Sequence, residues 1–189
     1  MFFYQQLIFC VYDHGKKMRL RTLEKKDIPF MLEWMHDPTV NCNFRFDAKN
    51  QTEKTVNAFI EEAQNDELNK HFAVVNDQDE YQGTISLKNI DRDNLKAEYA
   101  VCFRQCAQGK GYASFATSEI LHYAFDELGL NRVYLNVLVQ NKRANAFYKK
   151  FGFIYEGQTK EDVIIRGEKM DLNWYRILEK EYKEKKNTI

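Results

Sequence analysis

Runs of apolar residues divide the chain into predicted strands and helices. Short runs, alternating or continuously apolar, predict strands at 19–23, 72–75, 83–89, 97–103, 132–139, 153–155 and 169–177. Apolar residues three and four positions apart predict helices at 28–36, 52–63, 112–128 and 141–151. Residues 39–50 show neither pattern and are expected to be irregular, and residues 178–186 are expected to form a charged tail.

The connections between these elements predict how the sheet is assembled. The strands at 72–75, 83–89 and 97–103 follow one another through short polar turns, so we expect an antiparallel meander. A loop and the helix at 112–128 then lead to the strand at 132–139, and such a crossover places two strands side by side in parallel. One α/β domain with a mixed sheet follows from this order.

Composition agrees with a single folded domain and narrows the classes of partner. Of the 189 residues, 44% are hydrophobic and 14% aromatic, which is typical of a globular chain with one core. Lys+Arg and Asp+Glu both number 28, so the formal net charge is zero. The chain therefore lacks the overall positive field of nucleic-acid-binding proteins, and no nucleic-acid partner is expected.

The amino-terminal residues and the cysteines indicate the compartment. Residues 2–12 are apolar, but Gln5 and Gln6 interrupt them, and the run is too short for a membrane span and lacks the basic region of a signal peptide. The four cysteines form no Cys-x-x-Cys pair and have no histidine at zinc-ligand spacing. We expect a cytoplasmic protein without membrane association or metal, with an extension at 1–17, one domain at 18–180 and a charged tail at 181–189.

The first chemical signal is the segment Gln108-Gly109-Lys110-Gly111-Tyr112-Ala113, which follows a predicted strand and opens a predicted helix. Its glycines let the backbone approach a ligand, and successive amide N–H groups at a helix N-terminus attract a phosphate or pyrophosphate. A tight loop that needs glycine only for its geometry is the alternative. The spacing of a Walker phosphate loop is missing, which disfavours a nucleotide hydrolase.

The second signal is the segment Asn141-Lys142-Arg143-Ala144-Asn145-Ala146-Phe147-Tyr148-Lys149-Lys150-Phe151-Gly152-Phe153. Together with Gln108-x-x-Gly111-x-Ala113, it resembles the two cofactor motifs of the GNAT superfamily of acyl-CoA-dependent N-acetyltransferases. One helix and one strand separate the motifs, as in that family. The resemblance covers residues 18–180, and Glu156-Gly157 and Arg166-Gly167-Glu168 are similar to its RimJ/RimL-type branch, which includes ribosomal-protein, polyamine and amino-sugar acetyltransferases.

The resemblance implies a fold and a way of binding acetyl-CoA. The sheet would be mixed, mostly antiparallel, flanked by about four helices, and splayed between its fourth and fifth strands, those at 97–103 and 132–139. Acetyl-CoA would enter this opening, with backbone amides of 109–113 on its pyrophosphate and the backbone of 101 and 103 along its pantetheine arm. The implied cofactor-binding residues are Val101, Phe103, Gln108, Gly109, Lys110, Gly111, Tyr112, Ala113, Asn141 and Tyr148. Asn141 could also cap its helix, and Lys110 could simply be solvated.

The family's chemistry, direct transfer from thioester to amine, is also implied by the resemblance. Tyr148 matches the tyrosine that protonates the departing thiolate, and a phenol is a weak acid that stays neutral at pH 7. The acceptor must attack as a free amine, and Glu98, early in the cofactor-binding strand, is the candidate base. The alternatives are a packing role for Tyr148 and a solvent-facing position for Glu98.

The acceptor side of this family is walled by the first two helices and their connection, which here contains Phe44, Arg45, Phe46 and Asp47. Arg45 could hold a phosphate or carboxylate and Asp47 an amine, whereas the two phenylalanines could instead anchor the loop in the core. A small-molecule amine is expected, with an amino sugar or nucleotide-linked amino sugar favoured. Few acids in this loop argue against a polyamine, although polyamines, amino acids and protein N-termini stay open.

The expected function is therefore transfer of an acetyl group from acetyl-CoA to a primary amine. A non-catalytic acyl-CoA-binding module is the alternative, and Tyr148 within its full motif disfavours it. Members of the family are often dimers, so a homodimer is a further expectation from the resemblance.

Overall fold

Eight strands form one sheet within residues 9–13, 16–42 and 44–186, the parts of the chain that a computed structural model describes. In chain order they are β1 (Phe9–Asp13), β2 (Lys16–Thr22), β3 (Lys70–Val75), β4 (Tyr81–Asp91), β5 (Lys96–Phe103), β6 (Arg132–Leu138), β7 (Ile154–Ile165) and β8 (Glu168–Leu178). Their spatial order is β1-β2-β3-β4-β5-β6-β8-β7. Only β5 and β6 pair in parallel among the described strands, so the mixed, mostly antiparallel sheet is confirmed.

The helices are α1 (Ile28–His36), α2 (Pro38–Asn41), α3 (Glu53–Ala63), α4 (Tyr112–His122), α5 (Lys142–Phe151) and α6 (Glu179–Lys186). Four of them, α1, α3, α4 and α5, are the helices that the apolar spacing predicts. The prediction for α4 ran to residue 128, and the chain there continues beyond His122 as a π-helical turn, Tyr123–Glu127.

Two apolar layers hold the helices on opposite faces of the sheet. On one face, α4 and α5 pack over β5 and β6, where Ala97, Tyr99, Val133 and Leu135 belong to a single cluster of buried residues. On the other face, α1 and α3 pack over β3 and the start of β4. Because α1 and α3 cover the first part of the sheet, the α1/α3 face of β6 and β8 has a small cluster of its own, around Leu138.

Three segments differ from the expectation. Residues 39–50 were expected to be irregular, but they include the end of α2 and a 3-10 turn at Ala48–Asn50. The expected short strand at 153–155 is the start of β7, whose 12 residues are mostly exposed on both faces. Such an edge strand shows no apolar alternation, and the sequence therefore does not reveal its full length. Residues 178–186 were expected to be a tail, but Glu179–Lys186 forms α6.

The expected extension at 1–17 lies partly outside the described residues. Within it, β1 pairs with β2 from Phe9↔Leu20 to Asp13↔Lys16 and forms the edge of the sheet. The expected tail at 181–189 extends past α6 to residues 187–189, which also lie outside the described part. Among the described residues, no helix combines the length and the apolar character needed to cross a membrane.

Candidate active site

The sheet is open between β5 and β6. Their parallel pairing covers only Lys96↔Arg132, Ala97↔Val133 and Glu98↔Tyr134 in the described structure. From there β5 stays paired with β4 as far as Phe103, while β6 stays paired with β8 as far as Leu138. The two strands therefore separate beyond Glu98 and leave a gap that widens towards their carboxyl ends, as the resemblance implies.

One edge of this gap is the backbone of β5. In an antiparallel ladder, alternate residues direct their N–H and C=O groups to the same neighbour. The N–H of Arg104 donates to the Gln82 carbonyl of β4 over 2.9 Å, so Cys102 and Ala100 also face β4. The backbone groups of Val101 and Phe103 consequently face the gap, where an extended ligand could pair with them as another strand would.

Beyond β5, the loop before α4 presents a row of free amides. Among the described residues, the backbone N–H groups from Gly109 to Ser114 have no hydrogen-bond acceptor. Gly109 and Gly111 have φ of 77° and 90°, a left-handed conformation that glycine adopts without strain. The helices α3 and α5 are capped by the side chains of Thr52 and Asn141, whereas α4 has no side-chain cap. An anion at this position would satisfy the N–H groups that no protein atom satisfies.

The other residues of the loop segment have distinct roles. The Gln108 Oε1 accepts a hydrogen bond from Nη1 of Arg143, which links the two sequence motifs. Lys110 is exposed. Tyr112 is buried in the core, and the Ala113 carbonyl accepts from the Thr117 hydroxyl over 2.6 Å. For Tyr112 and Ala113, only the backbone N–H is therefore presented to a ligand.

Asn141 lies at the start of α5, opposite the free amides. Its Oδ1 accepts from the Ala144 N–H over 3.1 Å, so the cap expected from the sequence is present. Its Nδ2 has no hydrogen-bond partner within the described residues and remains able to donate. Asn145, one turn on, is buried and fully bonded: Nδ2 donates to the Leu138 and Asn141 carbonyls, and Oδ1 accepts from Asn173 and Tyr175. These bonds fix α5 to the end of β6 and to β8.

Tyr148 lies across the gap on the α4/α5 face. Its ring centroid is 5.9 Å from that of Tyr99 on β5 and 6.1 Å from that of Tyr175 on β8, so it contacts both halves of the open sheet. Burial raises the pKa of the Tyr148 phenol above its ordinary value of 10.0, which keeps the hydroxyl protonated at neutral pH. Within the described residues, the Tyr148 hydroxyl has no hydrogen-bond partner. Every fully buried side-chain nitrogen or oxygen of these residues does have a partner. The hydroxyl is therefore not completely enclosed.

Glu98 lies at the narrow end of the gap, on the opposite face. Side chains alternate across a strand, and because Ala97 and Tyr99 face α4 and α5, Glu98 faces the α1/α3 side. Its carboxylate accepts from Asn89 Nδ2 over 3.0 Å and lies 4.0 Å from the Lys88 ammonium. A group bound in the gap would thus have a phenol on one face and a carboxylate on the other.

The loop between α2 and α3 borders the α1/α3 side of the gap. Phe44 is half-buried and packs edge-on to Trp34 at 5.3 Å, which agrees with a loop anchor, whereas Phe46 is 47% exposed. The carboxylate of Asp47 accepts a hydrogen bond from the side-chain Nδ2 of Asn50 over 2.6 Å and so stabilises its own loop. Arg45 donates to the Asn136 Oδ1 of β6 and thereby reaches across the gap.

Two features of the site depend on contacts between distant residues, which the sequence analysis missed. Arg104, just after β5, is buried and binds Glu33 of α1 through two hydrogen bonds, of 3.0 and 2.7 Å, and Glu80 over 2.5 Å. It ties the start of the amide-bearing loop to α1. The rings of Tyr134 and Trp174 stack at 6.4 Å beside Asn136 on the acceptor side. A strand prediction with assigned faces would have revealed Tyr134, but pairing with Trp174 requires the register of β6 and β8.

No group of three or more His, Cys, Asp or Glu residues arranged to hold a metal ion occurs among the described residues. The chemistry described above needs backbone amides, a phenol and a carboxylate. The free amides beside the gap fit the pyrophosphate of acetyl-CoA, and the backbone edge of β5 fits its amide-containing arm.

Comparison with known proteins gives the same picture in sequence and in fold. The family model for the acetyltransferase (GNAT) domain matches residues 17–154. The spermidine N(1)-acetyltransferase of Vibrio cholerae is 28% identical over 178 residues, which cover 89% of this chain and 96% of that protein. The putative ribosomal N-acetyltransferase YdaF of Bacillus subtilis is 36% identical over 104 residues, and that match spans 57% of its length. A crystal structure of the V. cholerae spermidine N-acetyltransferase with CoA and spermine matches with a TM-score of 0.80 at 26% identity, covering 87% of this chain and 97% of that one.

Proposed function

This chain belongs to the GNAT acetyltransferase family and is an acetyl-CoA-dependent N-acetyltransferase, and we propose that it acetylates the primary amine of a small molecule directly, with both substrates bound together. The observation that carries the proposal is the position of Tyr148, whose ring packs against Tyr99 of β5 on one side of the gap and Tyr175 of β8 on the other, and whose hydroxyl has no hydrogen-bond partner in the described part of the chain. Within the family we place the chain in the RimJ/RimL-type branch, on the short motifs at 156–157 and 166–168.

Binding of acetyl-CoA is assigned to the two edges of the gap. The amides from Gly109 to Ala113 hold the pyrophosphate, and the backbone of Val101 and Phe103 pairs with the pantetheine arm. The free Nδ2 of Asn141 donates to the cofactor from the opposite side while its Oδ1 keeps capping α5. Acetyl-CoA supplies the acetyl group as a thioester.

Proton transfer is assigned to the two faces of the gap. The Tyr148 hydroxyl gives its proton to the departing sulfur, and burial keeps that proton in place until the sulfur takes it. On the acceptor face, the Glu98 carboxylate takes a proton from the amine so that the nitrogen lone pair is free to attack. Asn89 and Lys88 hold the carboxylate there.

Two classes of acceptor have separate support. Arg45 on the acceptor side, with the exposed ring of Phe46 beside it, favours an amino sugar or a nucleotide-linked amino sugar. Spermidine is the second candidate, because a relative named for spermidine acetylation matches 89% of this chain. The loop from 37 to 49 has two acids, Asp37 and Asp47, and two basic residues, Arg45 and Lys49, so it offers no excess of carboxylates to a polyamine.

The test is a search for the product by mass spectrometry. The protein is incubated with acetyl-CoA and separate pools of nucleotide-linked amino sugars, polyamines, amino acids, aminoglycosides and amino-terminal peptides, beside identical pools without protein. A single acetylated class supports the proposal and names the acceptor. Tight binding of acetyl-CoA with no acetylated amine in any pool would instead support the non-catalytic binding module.

A further inference from the structure

A buried arginine, Arg104, joins the end of β5 to the loop that bears the free amides. Its backbone N–H donates to the Gln82 carbonyl over 2.9 Å and so extends the β4–β5 ladder by one bond. Its carbonyl accepts from the Ala107 N–H over 3.1 Å and so closes the 3-10 turn Gln105–Ala107. That turn leads directly into the row of free amides. The position of Arg104 therefore sets where the edge of β5 ends and where the loop begins.

The guanidinium of Arg104 is surrounded by acceptors on the α1/α3 side of the sheet. Nε and Nη2 donate to the two carboxylate oxygens of Glu33 on α1, over 3.0 and 2.7 Å. Nη1 donates to the carboxylate of Glu80 over 2.5 Å and to the Tyr81 carbonyl over 3.0 Å. The ring of Phe30 covers the guanidinium carbon at 4.6 Å from the ring centroid. Four of the five N–H groups are thereby engaged within the protein.

These contacts argue against direct binding of the pyrophosphate by Arg104. Two carboxylates neutralise the guanidinium, and the residue is only 9% exposed. A hydrogen bond from the guanidinium to a phosphate would replace one to a carboxylate, and bonds between two charged groups are the strong ones. The loop nevertheless begins at this residue. Arg104 can therefore act on the ligand through the backbone that follows it.

The groups that hold Arg104 are themselves fixed to the sheet. In α1, Trp34 donates from Nε1 to the Tyr81 hydroxyl of β4 over 3.0 Å. In the turn between β3 and β4, the Glu80 N–H donates to the Asn76 Oδ1 over 2.8 Å, and the Glu80 carbonyl accepts from the Asn76 N–H over 3.1 Å. Arg104 thus connects a helix, a turn and the end of β5. The loop is held by the half of the sheet that carries β5.

We infer that Arg104 is a positioning residue for acetyl-CoA, which holds the amides from Gly109 to Ala113 in place for the pyrophosphate. The inference rests on the proposed function, which assigns the pyrophosphate to these amides. Their N–H groups make no hydrogen bond within the described residues, so they do not fix the loop themselves, and its two glycines have wide conformational freedom. A loop fixed in its bound conformation loses less entropy when the ligand binds. Arg104 supplies this fixation where the loop begins, and α4 supplies it where the loop ends.

Isothermal titration calorimetry with acetyl-CoA tests this role without turnover and without a known acceptor. Arg104→Gln removes the bonds to both carboxylates, and we expect the Kd of acetyl-CoA to rise about tenfold, equivalent to one charge-assisted hydrogen bond. Arg104→Lys keeps the charge but lacks the planar fork, so its Kd should lie between those of the unmodified protein and Arg104→Gln. An unchanged Kd in Arg104→Gln would overturn the inference.

A matched control separates positioning from general destabilisation. Arg21 is likewise buried, and its guanidinium donates to both oxygens of the Asp27 carboxylate over 2.7 Å. It lies in β2, and two strands, β3 and β4, separate it from β5. Arg21→Gln should lower the free energy of unfolding, measured in urea, but leave the Kd of acetyl-CoA unchanged. Equal rises in Kd in Arg21→Gln and Arg104→Gln would show a structural effect alone and overturn the positioning role.

The link to α1 is tested by a double-mutant cycle. Glu33→Gln should weaken the binding of acetyl-CoA, and its addition to Arg104→Gln should weaken binding no further, because both changes break the same link. Additive losses would show that Arg104 does not act through Glu33, and so overturn the inference.

Gly109→Ala distinguishes a failure of this inference from a failure of the proposed function. Gly109 has φ of 77°, so this change strains the loop itself and should raise the Kd whatever holds the loop in place. Weaker binding in Gly109→Ala with unchanged binding in Arg104→Gln overturns the positioning role and leaves the assignment of the amides intact. Unchanged binding in both variants contradicts that assignment in the proposed function, and the inference with it.

Discussion

Removal of the Tyr148 hydroxyl separates catalysis from packing. The ring of Tyr148 packs against Tyr99, Phe153 and Tyr175 at centroid distances of 5.9, 5.7 and 6.1 Å, and Tyr148→Phe preserves all three contacts. Because the hydroxyl has no hydrogen-bond partner among the described residues, its removal breaks no internal bond. We expect the free energy of unfolding to change by less than about 0.5 kcal/mol.

The effect on turnover should be far larger. A positioned general acid contributes about 10²- to 10⁴-fold to the rate, which corresponds to about 3–5 kcal/mol of the activation free energy. We expect kcat to fall by that factor, with the affinity for acetyl-CoA unchanged within about twofold, since the amides at 109–113 and the edge of β5 are untouched. Because burial raises the pKa of Tyr148, its proton should not limit activity between pH 7 and 9.

The assay measures release of CoA at saturating amine by chromatography, with calorimetry for the affinity for acetyl-CoA and urea unfolding for stability. Tyr155→Phe is the matched control, since it removes an exposed hydroxyl from β7. A Tyr148→Phe enzyme that keeps kcat within threefold would refute the acid role. Parallel losses of stability and affinity would show that the hydroxyl acts in folding rather than in chemistry.

Two other predictions concern the amide-bearing loop and the pH dependence of stability. A Cβ at Gly109 would meet no atom within 4 Å, but φ is 77° there, so Gly109→Ala should strain the loop by about 1 kcal/mol. This strain should displace the backbone amides and raise the KM of acetyl-CoA severalfold at constant kcat. An unchanged KM in steady-state kinetics would contradict the role of these amides. Burial lowers the pKa of His71 from 6.5 to about 4, so the unfolded chain takes up a proton at a higher pH than the folded protein does. Up to about 3 kcal/mol of the free energy of unfolding, present above pH 6.5, should therefore be lost as the pH falls towards 4. Urea unfolding at pH 7.5 and 4.5 measures this loss, and a His71→Gln variant with the same pH dependence would assign it to other groups.

Much of the fold could be predicted because burial imposes periodicity. Strands β3, β4, β5 and β6 and helices α1, α3, α4 and α5 bury one face or both, and their apolar spacing is visible in the sequence. Strand β7 beyond residue 155 and helix α6 escape this reasoning for a physical reason. β7 is an exposed edge strand, and α6 is highly charged, with a salt bridge between Glu179 and Lys183 one turn apart. Neither needs an apolar stripe.

The candidate site divides in the same way. The glycine loop and the segment containing Tyr148 are local patterns, so the sequence shows them directly. The hydrogen bonds from Arg45 to Asn136 and from Arg166 to Asn41 join residues 91 and 125 positions apart, and no local pattern predicts such contacts. The placement of Glu98 and Tyr148 on opposite faces likewise depends on the strand alternation and on the side of the sheet that α5 covers.

The opening of the sheet has a consequence for hydrogen exchange along β5. The amides of Ala100 and Cys102 point towards β4, whereas those of Val101 and Phe103 point into the gap. Neighbouring amides of this strand should therefore exchange with deuterium at different rates. Exchange should be slow at Ala100 and Cys102 and fast at Val101 and Phe103. Addition of acetyl-CoA should slow exchange at Val101 and Phe103 alone within this strand, and so report occupancy of the gap one residue at a time.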